Sequence, residues 1–326
     1  MSRAQLTSTV EQNTGGAVSP YVAGKNAIIN GGMDIWQRGT SSFSIAATTP
    51  QYTADRWTCY FNGTGTITQE TSVIPSNSKY ALRMTATATS VGNNIYQLIE
   101  TNNALPYAGK AITLSLQLAG TVGISAGVNL AYSTSVDDSL FNVSTSIALT
   151  TVTGPTLSNS LQTYVFTCTI PSTAKTLRVG VGTGAAVNTN YLVIANVQLE
   201  LGSVATPFSR AGGTLSGELT ACQRYYYQPS NTSANIGVMG ATSTTGVARL
   251  YIAVPVPMRG NTASVSYTGT PQLYDGVATI SVTSIAFNTI SENQLNINIG
   301  VASGLTQYRP YSLYLNGGTI LVSSEL

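Results

Sequence analysis

Short stretches in which apolar and polar residues alternate, each followed by Gly, Asn, Ser or Pro, fill most of this chain. Examples are YALRMTATAT, AITLSLQLAG and NYLVIANVQLEL. In the second of these, the apolar residues at every other position from Ile112 to Leu118 face one way and the polar residues face the other. A strand of this kind covers a core on one side. A period of two, with almost no helical periodicity, predicts an antiparallel β-sandwich.

The character of the sequence changes twice along the chain. Residues 1–25 are polar and have no sustained periodicity, so we expect an extended N-terminal attachment arm. Residues 26–210 carry the sandwich pattern, and the Gly-rich segment RAGGTLSGE follows as a joint. Residues 211–326 return to short strands, which predicts a second, smaller β-sandwich domain. The best helix candidate is Glu218–Tyr227, although its tyrosines fit the start of a strand equally well.

The charge content excludes several functional classes. Charged residues make up 8% of the chain, against about 25% in typical soluble domains. The basic residues stand singly, so the footprint of a nucleic-acid-binding protein is absent.

No apolar run reaches the roughly 20 residues of a transmembrane helix, so we expect no membrane insertion. The N-terminus lacks the apolar segment of a secretory signal, so we expect synthesis in a cytoplasm. So little charge also causes little repulsion between copies, which favours an oligomer.

The residues needed for common catalytic sites are missing. The sequence has no histidine, which excludes a Ser-His-Asp triad, a Cys-His dyad and every histidine-based zinc site. Gly180, Gly182 and Gly184 resemble a dinucleotide-binding loop in spacing, but they lie in an alternating segment that no helix follows, so we interpret them as strand glycines. Asp137 and Asp138 are adjacent in a turn-like segment, where we expect a solvated loop.

The cysteines are odd in number and have no metal-binding spacing. Cys59, Cys168 and Cys222 each lie in an apolar or aromatic stretch. A cysteine in such a stretch behaves as a small buried hydrophobic residue. We therefore predict three free, structural thiols.

Two carboxylates have denser apolar surroundings than the other acidic residues. Asp34 and Asp55 lie beside the tryptophans of MDIWQRG and ADRW. They fit either the acid–base pair of a glycan-cleaving enzyme or buried carboxylates that accept backbone hydrogen bonds or pair with Arg38 or Arg56. We favour the second interpretation and predict no catalytic residue. The predicted structural motif consists of Trp36, Arg38, Asp55, Arg56 and Trp57.

Five segments resemble a recurrent domain of bacteriophage tail-fibre and minor structural proteins, and they occur in the order expected for that family. The segments are NAIINGGMDIWQRGT (26–40), YTADRW (52–57), VIANVQLELGSVATPF (193–208), ACQRYYY (221–227) and VPVPMR (254–259). In the family, an Asn-Gly-x-x-Asp-x-Trp-Gln-Arg-Gly stretch leads into a Tyr-Thr-Ala-Asp-Arg-Trp stretch. The strands between these segments match only in character.

The domain in this family is similar to the jelly-roll carbohydrate-binding modules. The resemblance implies a jelly roll over residues 26–210, and the modules often hold a structural calcium between their first strands and their last one. Asp34 and Glu200 are the residues that would supply carboxylates, because calcium takes hard oxygen ligands. Ion pairing of Asp55 with Arg56 is the alternative for the same region. No other cofactor is expected, and the resemblance does not place the sugar-binding residues.

The resemblance also implies a place and partners for the chain. We expect a homotrimeric subunit of a virion, in a tail fibre or related appendage, made in the host bacterial cytoplasm. The N-terminal arm would bind other virion proteins, and residues 211–326 would form a receptor-binding tip for host surface polysaccharide. One alternative is a capsid decoration or connector protein with a purely structural role. Another, from a different class, is a glycan-cleaving enzyme.

Overall fold

The computed structural model describes residues 23–89, 92–139, 145–147, 156–184, 187, 189–228, 235–260, 263–291 and 294–326. Most of the predicted arm lies outside these residues. The chain divides into two compact units, of which the second is Thr220–Glu325. Residues 211–219, which we placed in the C-terminal domain, belong to the first unit. The segment is held to the first unit by hydrogen bonds, because the carboxylate of Glu218 accepts the backbone N–H groups of Asn30 and Gly212.

Two six-stranded sheets form the first unit. In chain order the strands are β1 (Phe43–Ile45), β2 (Gln51–Tyr52), β3 (Thr58–Phe61), β4 (Gly65–Glu70), β5 (Ala81–Ala86), β6 (Asn93–Ile99), β7 (Ala111–Gly120), β8 (Ala126–Ser133), β9 (Thr145–Ile147), β10 (Gln162–Thr169), β11 (Thr176–Thr183) and β12 (Tyr191–Leu201). Sheet A has the order β1-β4-β5-β12-β7-β10, and sheet B has the order β2-β3-β6-β11-β8-β9. All strand pairs are antiparallel, and β5 to β8 alternate between the sheets. The predicted all-β jelly-roll sandwich is confirmed.

Helices are short and few among the described residues. A turn of α-helix, α1 (Thr101–Ala104), and a 3₁₀ turn (Leu105–Tyr107) connect β6 to β7. The second helix, α2 (Leu215–Gln223), overlaps the predicted helix. Two of the tyrosines that follow it in the chain form a strand. Both interpretations of that segment therefore hold in part. None of the described helices is long and apolar enough to cross a membrane.

The core of the first unit lies between the two sheets. The alternating side chains of β7 from Ile112 to Leu118 are buried, and they face buried residues of β11 such as Leu177 and Val179. Cys59 and Cys168 belong to this core, and all three cysteines are buried and in no disulfide, as predicted. Burial raises the pKa of the Cys59 thiol to about 12, so this residue has no reactive thiolate at neutral pH.

The second unit is smaller and also all-β. Its strands are β13 (Tyr226–Tyr227), β14 (Asn235–Thr244), β15 (Val247–Ala253), β16 (Ser264–Tyr267), β17 (Thr270–Tyr274), β18 (Thr279–Ser291), β19 (Gln294–Val301), β20 (Pro310–Asn316) and β21 (Ile320–Ser323). Where we expected a second sandwich, β14-β15-β19-β18-β17-β20 close into a barrel, and β13-β21-β16 form a separate sheet. The alternation within each strand is the same in both architectures. Only the pairing of β14 with the distant β20 closes the barrel.

A bulge in β12 anchors the loop that opens the sandwich. The strand register shifts between Ala195 and Gln198, where Asn196 has a left-handed φ of 50°. Val197 in this bulge donates its N–H to the carbonyl of Gly31 at 2.9 Å. A Cβ on Gly31 would lie closer than 3.0 Å to the carbonyl oxygen of Val197. The loop can therefore approach the bulge only if glycine occupies this position.

Gly31→Ala is expected to destabilise the protein by about 3 kcal/mol, because the added methyl group must push the loop away from the backbone of β12. The measurement is the free energy of unfolding in urea. Gly184→Ala is the matched control, since no atom lies within 4 Å of its added Cβ, and it should change the value by less than about 0.5 kcal/mol. Equal effects of the two substitutions would contradict the close approach.

Candidate functional site

Asn30 lies at the centre of the predicted structural motif. Its side-chain Oδ1 accepts a hydrogen bond from the N–H of Ile35 at 2.9 Å, and its Nδ2 donates to the carbonyls of Ile35 and Asp55 at 2.9 and 3.0 Å. Its own carbonyl accepts from Trp57 Nε1 at 3.0 Å. Asn30 therefore joins the two halves of the motif, and its amide is satisfied on both sides.

Asp55 is fully buried and has protein partners for both carboxylate oxygens. Oδ1 accepts the N–H of Gln37 at 3.0 Å and lies 3.6 Å from Arg38 Nη1, while Oδ2 accepts from the Gln37 side chain. Arg56 donates to the carbonyl of Leu98 at 2.7 Å. Asp55 thus pairs with Arg38, and its contacts suit a carboxylate that fixes a loop.

Trp36 and Trp57 are both buried, at 8% and 0% exposure. Trp36 Nε1 donates to the carbonyl of Met33 at 2.7 Å, and its ring stacks near Phe43. Each indole therefore has a hydrogen-bond partner inside the unit, as buried tryptophans require. Neither ring is available as a platform for a ligand.

The two carboxylates proposed for calcium each have a cation of their own. Asp34 Oδ2 accepts from Arg210 Nε and Nη2 at 2.9 and 2.6 Å. Glu200 accepts the N–H of Thr206 at 2.9 Å and lies 3.7 Å from Lys25 Nζ. Nowhere in the described ranges do three or more acidic or cysteine residues cluster to hold a metal. Ion pairs thus already neutralise both carboxylates, which disfavours a calcium ion at either residue.

Thermal unfolding of the full chain should therefore give the same Tm in excess calcium chloride and in excess chelator, since an ion bound to the native state would raise it. Asp34→Asn should lower the Tm equally in both buffers, because it breaks the pair with Arg210. A calcium-dependent rise in Tm that disappears in Asp34→Asn would contradict this prediction and assign the carboxylate to a metal.

The outer face of sheet A is covered by the chain itself. Its middle is a buried cluster of small apolar side chains: Ala81, Ala119, Val193 and Ala195. Val73 and Ile74, from the loop between β4 and β5, pack on this cluster. Glu70 holds the start of that loop by accepting the N–H groups of Thr71 and Ser72 at 3.0 and 2.8 Å. The middle of this face therefore contributes to the stability of the fold.

The outer face of sheet B carries tyrosine, arginine and amide side chains instead. Strand register places one row directly across five strands: Tyr52, Thr58, Tyr96, Gly180 and Asn129. A second row beside it consists of Tyr60, Asn94, Gly182 and Gly127. A third contains Leu98, Arg178 and Ala131. Their chain neighbours Cys59, Ile95 and Val179 are core residues, so these rows face away from the core.

Gly180 and Gly127 leave a depression in this face, whereas Gly182 is covered, because a Cβ on it would lie closer than 3.0 Å to Asn94 Oδ1. A Cβ on Gly180 would meet the Cβ atoms of Tyr96 and Asn129 at 3.7 and 3.9 Å, which is ordinary contact, and a Cβ on Gly127 would meet nothing closer than 4.0 Å. Close packing of the backbone therefore does not demand glycine at either position. Glycine therefore leaves the position between Tyr96 and Asn129 without a side chain, and Gly180 itself is buried.

Polar groups border the depression. Arg178 is half-buried, and its Nη2 donates to Asn129 Oδ1 at 3.4 Å. Burial raises the pKa of Tyr96 to about 12, and the neighbouring Tyr52 adds to the shift, so the phenol stays neutral. A small cavity adjoins Arg178, with Ser133 also in its wall. Tyr96 is only 6% exposed and Gly180 is buried, so Tyr96 is not itself a platform. The half-buried Tyr52, Asn129 and Arg178 are the groups of this face that can hold a polyhydroxylated ligand by stacking and hydrogen bonding.

The sequence matches no family model and no curated protein sequence. Among solved structures, the chain is similar to the enzymatically active domain of bacteriophage CBA120 tailspike protein 4, with 16% identity and a TM-score of 0.38 over 56% of this chain and 22% of that one. It is also similar to a tandem family 22 carbohydrate-binding module of Paenibacillus barcinonensis Xyn10C, with 8% identity and a TM-score of 0.34 over 86% of this chain and 99% of that one. A family 61 module in complex with β-1,4-galactotriose matches with 9% identity and a TM-score of 0.33 over 54% and 99%.

Proposed function

We propose that this chain is a virion structural protein, a subunit of a bacteriophage tail fibre or related appendage that attaches to host surface glycans. The observation that carries the glycan-binding part is the row of Tyr52, Tyr96, Gly180 and Asn129 on the outer face of sheet B. The virion part is supported by the five sequence segments that resemble tail-fibre and minor structural proteins.

The chemistry of the face suits a sugar better than a charged ligand. A pyranose ring presents C–H groups that pack on a tyrosine ring and hydroxyls that bond to amides and guanidinium groups. Arg178 is the one basic side chain in the three rows, and no acidic side chain lies in them. A nucleic acid would require a cluster of basic groups on the face.

Gly180→Val is expected to weaken glycan binding about tenfold, which corresponds to roughly 1.4 kcal/mol. The reason is that the branched side chain fills the depression, while valine is favoured in a strand and the position has room for a Cβ. The measurement is calorimetric titration of the full chain with extracted surface polysaccharide of the host.

Thr163→Val, on the outer face of sheet A, is the matched control and should bind like the wild type. Asn129→Ala removes only an amide from the row and tests the same face without added bulk. If both Gly180→Val and Asn129→Ala bind normally while the wild type binds, the outer face of sheet B is not the site.

We further propose a homotrimer, with residues 1–25 attached to other virion proteins. Light scattering from the purified full chain should give three times the mass of one chain, because the charge-poor surface offers little repulsion to packing of copies. A monomeric mass would rule this assembly out.

The position on the particle needs its own experiment. Immunogold labelling should place the protein on the tail or another appendage. Label on the head, together with no binding of polysaccharide, would instead favour a capsid decoration or connector protein. Release of reducing sugar from host glycans would indicate a glycan-cleaving enzyme.

A further inference from the structure

Three connections meet at one end of the barrel in the second unit. They join β14 to β15, β17 to β18, and β19 to β20, and all their residues are described. The N–H of Val301 bonds to the carbonyl of Gly246 at 2.9 Å, which ties the third connection to the first. Arg309 Nη1 lies 3.3 Å from Asp275 Oδ2, which ties the third connection to the second. The loops therefore form one connected surface, which we call the barrel end (residues 244–247, 274–279 and 301–310).

Tyr308 stands out on the barrel end, because it is 79% exposed and has a left-handed φ of 64°. For a bulky side chain this conformation is strained, whereas glycine adopts it freely. The surrounding hydrogen bonds hold it there. The N–H of Tyr308 donates to the carbonyl of Thr242 at 3.3 Å, and the buried Thr242 hydroxyl donates to the carbonyl of Thr306 at 2.6 Å. A strained, fixed and exposed aromatic residue is the kind of outlier that marks a functional position.

The barrel end also carries a charged pair, one member of which follows Tyr308 in the chain, and exposed carbon surface on the turn between β17 and β18. Asp275 Oδ1 accepts the N–H groups of Val277 and Ala278 at 2.9 and 2.8 Å, so the turn between β17 and β18 is rigid as well. Val277 is 82% exposed and Tyr274 is 36% exposed. Arg309 keeps 44% of its side chain in solvent while it pairs with Asp275. The exposed ring of Tyr308 and the guanidinium of Arg309 thus belong to one surface, with the Asp275 carboxylate 12% exposed behind the guanidinium.

We propose that the barrel end is a second saccharide-binding site, which stacks one sugar ring of a host surface polysaccharide on Tyr308 and bonds its hydroxyls through Arg309 and Asp275. The inference takes its ligand class from the proposed function but concerns a different unit of the chain and different residues. The paired charges favour a neutral sugar, because vicinal hydroxyls both donate to a carboxylate and accept from a guanidinium. Rigid loops keep the ordering cost of binding low.

Tyr308→Gly separates a binding role from a structural one. The substitution relieves the strained φ, so the Tm should rise, while affinity for the polysaccharide should fall about tenfold or more. If Tyr308 had only a structural role, the substitution would lower the Tm and the affinity together, or it would leave both unchanged. Tyr251→Ala is the matched control, since Tyr251 is 48% exposed but lies within β15, away from the barrel end. It should bind like the wild type.

The direct test uses the full chain labelled with 3-fluorotyrosine, with the Tyr308 signal assigned by its loss in Tyr308→Gly. Adding the host surface polysaccharide should shift this signal in the wild type and also in Gly180→Val. Binding by the wild type without a shift, and with unchanged affinity of Tyr308→Gly, overturns the barrel-end site and leaves the proposed function intact. No binding by the wild type overturns both. A smaller oligomer for Tyr308→Gly in light scattering also overturns the site, because it assigns Tyr308 to a contact between copies.

Discussion

The sandwich depends on a cluster of hydrogen bonds where its opening loop meets the bulge of its last strand. Asn26, only 2% exposed, uses its whole side chain there. Its Oδ1 accepts from Ile28 and Leu199, and its Nδ2 donates to Val197 and Ser209, at 2.9 to 3.1 Å. A buried amide with every bond made fixes one arrangement, since any slip would leave several groups unsatisfied. This contact fixes where the opening loop meets the bulge of β12.

The two sheets share one alternating sequence pattern but differ on their outer faces. In both, alternate residues fill the same core. On sheet A the middle of the outer face is a small apolar cluster on which the loop between β4 and β5 packs, and Arg83 lies over the ring of Tyr191 nearby. On sheet B the outward positions include Tyr96, Arg178 and Asn129, with Gly180 between them. The outward residues, rather than the core, therefore distinguish a face that stabilises the fold from one that can meet a ligand.

Much of the fold follows from local pattern, and the candidate sites do not. The alternation from Ile112 to Leu118 predicts a strand and its buried side, because period two is a property of the single strand. Which strands pair is a long-range matter, and so the closure of the barrel is not visible in the sequence. The same holds for Gly180. Its place in a strand is predictable, but its position between Tyr96 and Asn129 depends on the register of β11 with two distant strands. Tyr308 carries no sequence signal, since its φ comes from the surrounding loop.

The carboxylate of Glu218 joins the end of the first unit to its beginning, because it accepts the N–H of Asn30 from 188 residues earlier in the chain. A contact of such sequence separation forms late, since the intervening chain must be brought together first. During synthesis, the hydrogen bond between Asn30 and Glu218 can form only after nearly the whole first unit has been made. The helix that leads into the second unit therefore also completes the first, and a chain truncated before Glu218 would lack the bond that closes its opening loop.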